Sequence, residues 1–335
     1  MKFLDLFSGI GGFRLGLERA GHTPVGWVEI DKFARQSYQA MYDTTGEWTA
    51  TDINKVTDEE WREFNGTVEL IAGGFPCQSF SIAGKREGFL NKTKGTLFFE
   101  VARAVKQIKP RFVFLENVKG LLNHNKGDTF RTILNTFDEL GYDVQWRVLN
   151  SKDFGVPQNR ERVYIVGHLR GDSGREVFSI FGENGETNHT NVKQIGNISN
   201  SNSFGGNPQT GRVYADDGLS PTLNTMQGGG REPKVAIPVL TPDRINKRQN
   251  GRRFKDNGDP SFTLTAQDKR GVMLKNYTIR KLTPRECWRL QAFPDELFDK
   301  AQQAGLSDSQ LYKQAGNSVT VNVIEYIGKT IERGY

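Results

Sequence analysis

The first half of the chain alternates two kinds of segment, and this alternation limits its fold more than any other feature. Short apolar runs recur over residues 1–168, and stretches with helical apolar spacing, such as Thr96–Ile108 and Thr129–Leu140, lie between them. Strands and helices that alternate at this spacing predict an α/β fold with a parallel, doubly wound sheet. The predicted strands are Lys2–Leu6, Val25–Val28, Val68–Ala72, Phe112–Leu115, Val144–Leu149 and Val163–Val166.

The sequence changes character after residue 170. Residues 196–211 hold eleven Gly, Asn or Ser in sixteen positions, and short strand patterns between turns continue to about residue 280. The basic excess is concentrated here, with six cations and no acid over Arg244–Lys255. We therefore predict a second, smaller domain that is rich in loops and strands. The predicted division is residues 1–170 plus 315–335 for the first domain, 171–285 for the second, and 286–314 for a connecting helical segment.

An internal repeat lies in the predicted second domain. The segments Gly211–Tyr214 and Pro221–Leu223 are echoed by Gly251–Phe254 and Phe262–Leu264. The repeat is either a duplicated strand–turn–strand unit or a recurring hairpin pattern, and two copies are too few for a solenoid. The last 55 residues turn helical again, with Pro284 in a first turn before Arg285–Ala292 and a terminal helix over Val319–Ile331, which could return to the first domain.

Composition excludes several classes of protein. The net charge is +6, which suits a polyanionic partner without proving one. Two cysteines cannot build a disulfide framework, and four scattered histidines show no zinc-site spacing, so we predict no metal. Asp5 interrupts any signal-peptide core, and no uncharged apolar run approaches the roughly 18 residues of a membrane span. We expect a soluble cytoplasmic protein.

The first predicted strand ends in a glycine turn. Asp5–Gly12 reads Asp-Leu-Phe-Ser-Gly-Ile-Gly-Gly, and such glycines let the backbone approach a ligand at a helix start. A dinucleotide fingerprint needs a third glycine where this chain has Arg14, so a cationic or zwitterionic cofactor fits better. Glu29, after the second strand, is suitably placed for ribose hydroxyls. The alternative is a structural turn in which Ser8 caps the helix.

Cys77 lies in a loop directly after the strand Val68–Ala72. Open α/β sheets bind ligands at the carboxyl ends of their strands, so this cysteine is a candidate nucleophile. It would need a positive neighbour or a helix start to lower its pKa. The following loop, Ser79–Gly95, contains four basic residues and is long enough for a mobile lid. The alternative is a small buried hydrophobic residue.

Three further polar segments stand at element ends. Glu116 follows the strand Phe112–Leu115 and is either a general acid with a pKa raised by burial or a helix-capping acid. Arg160 and Arg162 would face one side of an extended segment, as catalytic groups or as ordinary solvent-facing charges. Gln314–Val319 is a polar turn before the terminal helix, either a cap or a cofactor contact.

Taken in order, these segments resemble the blocks of the cytosine-5 DNA methyltransferase family, bacterial type II modification enzymes in particular. The resemblance spans nearly the whole chain, and Pro-Cys-Gln, Glu-Asn-Val and Gln-x-Arg-x-Arg in that order are highly specific. The matching runs are DLFSGIGG (5–12), Glu29 of EID, TDI (51–53), GGFPCQSFS (73–81), ENV (116–118), QNRERVY (158–164), RKLTPREC (280–287) and QAGNSV (314–319).

The resemblance implies transfer of a methyl group from S-adenosylmethionine to carbon 5 of a flipped cytosine in a short specific duplex sequence. Cys77 would be the covalent nucleophile, Glu116 would hold or protonate ring nitrogen 3, Arg162 would contact the exocyclic oxygen, and Arg160 would support that geometry. The implied cofactor-binding residues are Phe7, Gly9, Gly11, Glu29, Ile30, Asp52, Ile53, Pro76, Leu97, Asn317 and Val319. The implied DNA contacts are Gln78, Ser81, Arg252, Arg253 and Thr263.

The family also implies a role and partners. The second domain becomes a target-recognition domain, the partner is double-stranded DNA, and the enzyme is expected to be a nucleoid-associated monomer. It would be the modification component of a restriction–modification system with a cognate endonuclease. The alternatives are an RNA cytosine-5 methyltransferase, a nicotinamide-dependent oxidoreductase that uses the glycine turn, and a DNA-binding module without activity.

Overall fold

A seven-stranded mixed sheet organises the described part of the chain. The computed structural model describes residues 1–76, 97–171, 193–197, 212–215, 238–239, 260, 271–273, 279–281 and 283–333. The strands are β1 (Lys2–Leu6), β2 (Thr23–Val28), β3 (Trp48–Ala50), β4 (Leu70–Gly74), β5 (Phe112–Val118), β6 (Tyr142–Asn150) and β7 (Glu161–Leu169). Their order is β3-β2-β1-β4-β5-β7-β6. The predicted α/β class is confirmed, and each predicted strand lies within or overlaps an observed one.

The observed sheet differs from the predicted parallel sheet in the direction of one strand, β7. Strands β1 to β5 pair in parallel, whereas β7 is antiparallel to both β5 and β6. The connection from β6 to β7 is only the segment 151–160, too short for the crossover that a parallel pair requires. Strand β7 therefore returns between β5 and β6, and its first residues lie beside the last residues of β5.

Helices cover both faces of the sheet. The helices are α1 (Gly12–Arg19), α2 (Lys32–Met41), α3 (Asp58–Arg62), α4 (Leu97–Ile108), α5 (Asp128–Glu139), α6 (Pro284–Arg289), α7 (Asp295–Gln303), α8 (Asp308–Asn317) and α9 (Val321–Arg333). Single 3-10 segments occupy Ile53–Lys55, Lys119–Gly127 and Ser151–Phe154. Thr283 and Glu286 form a capping box with Pro284 in the first turn of α6, as the sequence predicts.

Alternate side chains of the strands enter two separate cores. Leu4 and Leu6 of β1 pack with α4 and α5 on one face, and Phe3 packs with α1 and α9 on the other. This is the period-two pattern of a sheet that is buried on both faces. Complete burial of each such side chain stabilises the fold by about 1.5–3 kcal/mol.

The terminal helix α9 closes the outer layer beside α1. Gly16 of α1 approaches Ile324 so closely that a Cβ at position 16 would lie 2.6 Å from the Ile324 Cβ atom. A Cβ on Gly328 would lie 2.9 Å from that of Ala20. Small residues therefore allow α1 and α9 to pack closely, and the terminal helix returns to the outer layer beside α1, as the sequence allowed.

Five short strands are described between residues 193 and 281. β8 (Lys193–Asn197) pairs with β9 (Arg212–Ala215), and β11 (Gly271–Met273) pairs with both β10 (Pro238–Val239) and β12 (Ile279–Lys281), all antiparallel. Most of the internal repeat lies outside the described residues. Among the described residues, no helix is long and apolar enough to cross a membrane.

Candidate active site

A cavity of about 550 Å³ opens at the carboxyl edge of the sheet. The chain runs outward from β1 to β3 and then returns to β4, so the strand order reverses between β1 and β4. Open α/β sheets bind their ligands at such a switch point, and this volume is typical of a small-molecule site. Residues at or just after the carboxyl ends of β1, β2, β3, β4 and β5 line the cavity, together with residues of α8.

The glycine turn after β1 forms one wall of the cavity. Phe7 and Gly9 have left-handed backbones, with φ of 56° for each, and both line the cavity. Such a φ is unusual for phenylalanine and stores backbone strain of roughly 1–3 kcal/mol. The turn is held to β2 because the Ser8 amide donates to the Val28 carbonyl at 3.0 Å. Local strain at a cavity wall is typical of a preorganised binding turn.

Glu29 is fixed by backbone donors on both sides. Its Oε2 accepts a hydrogen bond from the Gly9 amide at 2.8 Å, and its Oε1 accepts one from the Asp31 amide at 2.7 Å. The carboxylate is 9% exposed and lines the cavity. Since ionised carboxylates that accept amide hydrogen bonds are strongly oriented, Glu29 presents its remaining lone pairs in a fixed direction.

The alternative interpretation, a structural turn in which Ser8 caps the helix, is wrong about Ser8. The N-cap of α1 is Gly11, with a φ of 77°, and no side chain caps the helix, so Ser8 does not have that role. Arg14, which replaces the glycine of a dinucleotide fingerprint, is 3% exposed and donates to Glu18 and to Glu47 at 3.0 and 2.8 Å. The position therefore holds a buried ion-pair network beneath the turn.

Most of the predicted cofactor residues line this one cavity. Gly11 and Val319 do not. A Cβ on Gly11 would lie 2.5 Å from the Tyr42 ring, so this glycine permits packing beneath the turn, and Val319 belongs to the core between α1 and α9. The predicted residues that do line it are Phe7, Gly9, Glu29, Ile30, Asp52, Ile53, Pro76, Leu97 and Asn317.

Glu116 lies within β5, and the helix-capping alternative for it is wrong. The side chain is 7% exposed, lines the cavity, and forms an ion pair with Arg162, whose Nε lies 3.0 Å from Oε1. Burial raises the pKa of Glu116 above its ordinary value, and the positive charges of Arg162 and Arg160 oppose this rise. The antiparallel return of β7 positions the pair, because Val118 of β5 pairs with Arg162 of β7.

Arg160, just before β7, binds the end of α8. It is 3% exposed, and its Nη2 donates to the carbonyls of Gly316 and Ser318 at 3.1 and 2.7 Å. Burial and the neighbouring charge of Arg162 lower the pKa of Arg160 to about 9, so the guanidinium remains charged at neutral pH. Both arginines line the cavity, and the solvent-facing alternative is wrong.

Asn117 connects the ends of β5 and β4. Its Nδ2 donates to the Phe75 carbonyl at 2.8 Å, and its Oδ1 accepts from the Val118 amide at 2.8 Å. The side chain is 2% exposed, so both hydrogen bonds are buried. Asn117 therefore fixes the backbone just before Pro76, at the point where the chain leads to residue 77. Only its place in the Glu-Asn-Val run indicated it beforehand.

Six predicted site residues lie outside the described residues. These are Cys77, Gln78, Ser81, Arg252, Arg253 and Thr263. The Ser79–Gly95 loop lies outside them as well. Pro76, the residue before Cys77, lines the cavity, and the preceding Phe75 carbonyl accepts from Asn117, the residue after Glu116.

Helix α8 supplies a cavity wall that the sequence reasoning missed. Gln314–Asn317, predicted as a polar turn, is the last turn of α8. Gln310, Lys313, Gln314 and Asn317 line the cavity, and their i, i+3, i+4, i+7 spacing places them on one helical face. That polar spacing was readable from the sequence. The residue that pairs with Lys313 could not be predicted from the sequence, because it is Asp31, near the other end of the chain. The two charged atoms are 2.6 Å apart.

The arrangement defines a class of protein: an α/β enzyme with a cofactor cavity at a sheet switch point and a buried Glu–Arg pair at one end. Among the described residues, no group of three or more His, Cys, Asp or Glu could hold a metal ion. Comparison with known proteins gives the family. Residues 1–333 match the family model described as C-5 cytosine-specific DNA methylase, and the chain belongs to that family. The enzyme is a DNA (cytosine-5-)-methyltransferase, which confirms the resemblance and excludes the nicotinamide oxidoreductase.

Similar proteins cover the whole chain. The orphan methyltransferase M.SPRI of Bacillus phage SPR is 36% identical over 441 residues, with 100% of this chain and 98% of that protein covered. The type II methyltransferase M.HhaI of Haemophilus parahaemolyticus is 35% identical over 338 residues, with 99% and 94% covered. A solved DNA modification methyltransferase encoded within an E. coli prophage shares the fold, with a TM-score of 0.63, 20% identity and coverage of 100% and 99%.

Proposed function

We propose that this enzyme methylates carbon 5 of a cytosine flipped out of a short specific duplex sequence, through a covalent adduct with Cys77 and with S-adenosylmethionine as the methyl donor. One observation carries the proposal. The buried Glu116–Arg162 pair and Pro76 line the same cavity, and Cys77 is the residue after Pro76. The hydrogen bond from Asn117 to the Phe75 carbonyl joins the two segments. The proposed nucleophile, Cys77, and the proposed acid, Glu116, would therefore both lie beside the cavity that binds the cofactor.

The cavity suits the proposed cofactor. S-adenosylmethionine carries a ribose diol, an apolar purine and a cationic sulfonium, and this cavity offers one fixed carboxylate, Glu29, beside the exposed side chain of Ile30. Glu29 would accept from the ribose hydroxyls, Ile30 and Ile53 would contact the adenine, and Asn317 would bind the methionine end. When bound, the cofactor supplies a methyl group activated by its sulfonium.

Cytosine carbon 5 is a poor nucleophile until a thiolate adds to the ring. The Cys77 thiolate would bond to carbon 6, and the electron pair of the 5,6 double bond would form the bond from carbon 5 to the methyl carbon, while the methyl–sulfur bond breaks and its electron pair stays on the departing thioether sulfur. A solvent water would then take the carbon 5 proton. The electrons of that C–H bond would re-form the 5,6 double bond, and the carbon 6–sulfur bond would break to release the thiolate.

Glu116 would act at ring nitrogen 3 during the addition. A carboxyl with a raised pKa holds a proton near neutral pH more readily than an exposed one, so it can donate a hydrogen bond or a proton there. Arg162 would donate to the exocyclic oxygen and stabilise negative charge in the ring. Arg160, which binds the carbonyls at the end of α8, would hold that geometry.

A base stacked in duplex DNA cannot reach this cavity. We therefore include base flipping, which costs a few kcal/mol and would be offset by phosphate contacts and closure of the Ser79–Gly95 loop. Residues 171–285 would form the target-recognition domain that supplies base and phosphate contacts, with residues 1–170 and 315–335 as the catalytic domain. Gln78, Ser81, Arg252, Arg253 and Thr263 would be among the DNA contacts.

The biological role is modification of a host or phage genome. Relatives are named both as type II and as orphan methyltransferases, and we propose the modification component of a restriction–modification system, acting as a monomer on the nucleoid in the cytoplasm. An orphan role differs only in the absence of a cognate endonuclease. Digestion of genomic DNA from cells that express the enzyme would identify the protected sequence.

A trapping experiment tests the proposal. Duplex DNA with 5-fluorocytosine at the target, incubated with enzyme and S-adenosylmethionine, should yield a covalent protein–DNA complex, because fluorine cannot leave as the proton does. Cys77→Ser should abolish the adduct and methyl transfer. Cys287→Ala is the matched control, since Cys287 is 3% exposed within the helical core, and it should still form the adduct.

Two outcomes would contradict the mechanism. Full activity of Cys77→Ser would show that Cys77 is not the nucleophile. Failure of the wild-type enzyme to form an adduct would contradict the covalent step. The target sequence is first located by bisulfite sequencing of DNA from expressing cells. An arm with transfer RNA tests the alternative substrate, and methylation of RNA in preference to DNA would replace the proposed one.

A further inference from the structure

We propose that Lys313 and Asp31 form a latch that retains the cofactor, an inference that rests on the proposed S-adenosylmethionine site. Asp31 lies after β2, two residues beyond Glu29, and Lys313 lies on α8. Both residues line the cavity, on two segments that pack against each other. Their Nζ and Oδ2 atoms are 2.6 Å apart. The ion pair therefore spans the space between two elements that both line the cavity.

Two neighbouring residues of α8 bind α2 in different environments. Gln314 is 6% exposed; its Oε1 accepts from Ser37, and its Nε2 donates to the Phe33 carbonyl, both at 3.1 Å. The Lys313 and Asp31 side chains are 45% and 31% exposed. Buried hydrogen bonds are costly to break, whereas exposed ion pairs contribute little. Gln314 thus holds the wall in place, and the Lys313–Asp31 pair can open without disturbing it.

Asp31 is prepared for this contact by its second oxygen. Oδ1 caps α2 by accepting from the amides of Phe33 and Ala34, which leaves Oδ2 for Lys313. Although burial favours the neutral acid, the hydrogen bond from Lys313 and those two amides lower the pKa of Asp31, so the carboxylate is ionised at neutral pH. The Asp31 amide also holds Glu29. The latch therefore adjoins the carboxylate that would bind the ribose.

A weak, exposed latch suits an enzyme that must exchange its cofactor in every turnover. An exposed ion pair changes an equilibrium or rate by about two- to fivefold. We expect Lys313→Met to raise the dissociation rate of S-adenosylmethionine from the binary complex by this factor. The fold should be unaffected, so the thermal midpoint of the cofactor-free variant should equal that of the wild type.

Asp31→Asn provides the complementary variant. Asparagine keeps an oxygen that can cap α2 but loses the charge that attracts Lys313. Asp31→Asn should raise the dissociation rate of S-adenosylmethionine to the same extent as Lys313→Met. Because both substitutions break the same interaction, the Lys313→Met/Asp31→Asn double variant should have the same rate as either single variant. Lys313→Arg keeps the positive charge, so this variant should release S-adenosylmethionine at the wild-type rate. Lys329→Met is the matched control, because Lys329 is also 45% exposed and pairs with Glu325 on α9.

The measurement is stopped-flow displacement of labelled S-adenosylmethionine at low and high salt. Loss of the rate difference at high salt would support the ion pair as its cause. An unchanged dissociation rate in Lys313→Met, or additive effects of the two single substitutions, would overturn the latch while leaving the cofactor site intact. If the wild-type enzyme bound no S-adenosylmethionine, the proposed function would fall and the latch with it.

Discussion

Two buried carboxyl groups lie on β1 and β5, the strands on either side of β4, and they differ in what surrounds them. Glu116, at the end of β5, lines the cavity and pairs with Arg162 at 3.0 Å. Asp5, in β1, is fully buried beneath the glycine turn, and its Oδ2 lies 3.5 Å from the Tyr38 hydroxyl. Burial raises the pKa of both groups.

The comparison separates a carboxyl placed for chemistry from one that belongs to the scaffold. Burial raises the pKa of Asp5 to about 8, since the nearby charge of Arg14 only partly opposes it, and the group is mainly neutral at pH 7. Glu116 has two arginines near it and an open side toward the cavity. A raised pKa is common to both groups, so access to the cavity is the feature that makes Glu116, rather than Asp5, the candidate for the proposed acid.

The largest expected effect comes from Glu116→Gln. Glutamine keeps the size of the side chain but cannot supply a proton or an ion pair with Arg162, so methyl transfer should fall by about 100- to 10,000-fold. Cofactor affinity should stay close to the wild-type value. Asp5→Asn removes the other buried carboxyl and should retain activity within about threefold. A Glu116→Gln enzyme within tenfold of the wild type would contradict the assigned role.

Asp5 makes a separate prediction about stability and pH. Its folded pKa of about 8 exceeds the ordinary value of 3.8, so the folded state keeps a proton that the unfolded state loses. Its contribution is fully present below pH 4 and declines as pH rises to about 8. Asp5→Asn lacks this loss, so its stability relative to the wild type should increase by on the order of 5 kcal/mol between pH 4 and 9.

Urea unfolding of both proteins at pH 4, 6, 8 and 9 measures this change. Because every other titrating group is common to the two proteins, the difference between their curves isolates Asp5. A difference that does not vary with pH would show that Asp5 is ionised in the folded state, and the proposed contrast with Glu116 would disappear.

Local sequence patterns predicted most of the sheet and the positions of both carboxyls. Apolar runs located the strands, and the glycine turn and Glu29 were placed because carboxyl ends of parallel strands share one edge. The position of β7 was not predictable in this way. Its apolar run has no signal for direction, and only the short segment after β6 favours an antiparallel return.

Long-range pairs account for the rest of what the sequence did not predict. Arg14 looked like a missing glycine, whereas its partners Glu47 and the Asp43 carbonyl come from the segment after α2. Lys313 and Asp31 are ordinary charges in their own segments, and only the packing of α8 against α2 brings them together. The spacing of residues in the sequence identifies a polar or apolar face of a helix, but it does not show which other element that face contacts in the folded protein.

The smallest expected effect in this comparison concerns the glycine that gives Glu116 its room. A Cβ on Gly74 would lie 3.1 Å from Glu116 Oε2 and no closer than 3.9 Å to the next atoms, those of Phe13 and Val319. Gly74→Ala must therefore displace a carboxylate that Arg162 holds, by a few tenths of an ångström. Misplacement of a catalytic group by about 1 Å can cost 100-fold, so we expect kcat to fall about tenfold.

Gly120→Ala is the control, because a Cβ at position 120 would meet no atom of the described residues within 4 Å and the residue is exposed near the same end of β5. It should keep the wild-type kcat. Equal losses in the two variants would indicate a general effect on the segment after β5, and a wild-type kcat in Gly74→Ala would mean that the carboxylate tolerates the shift. A loss confined to Gly74→Ala would show that the position of Glu116, as well as its charge, limits the reaction.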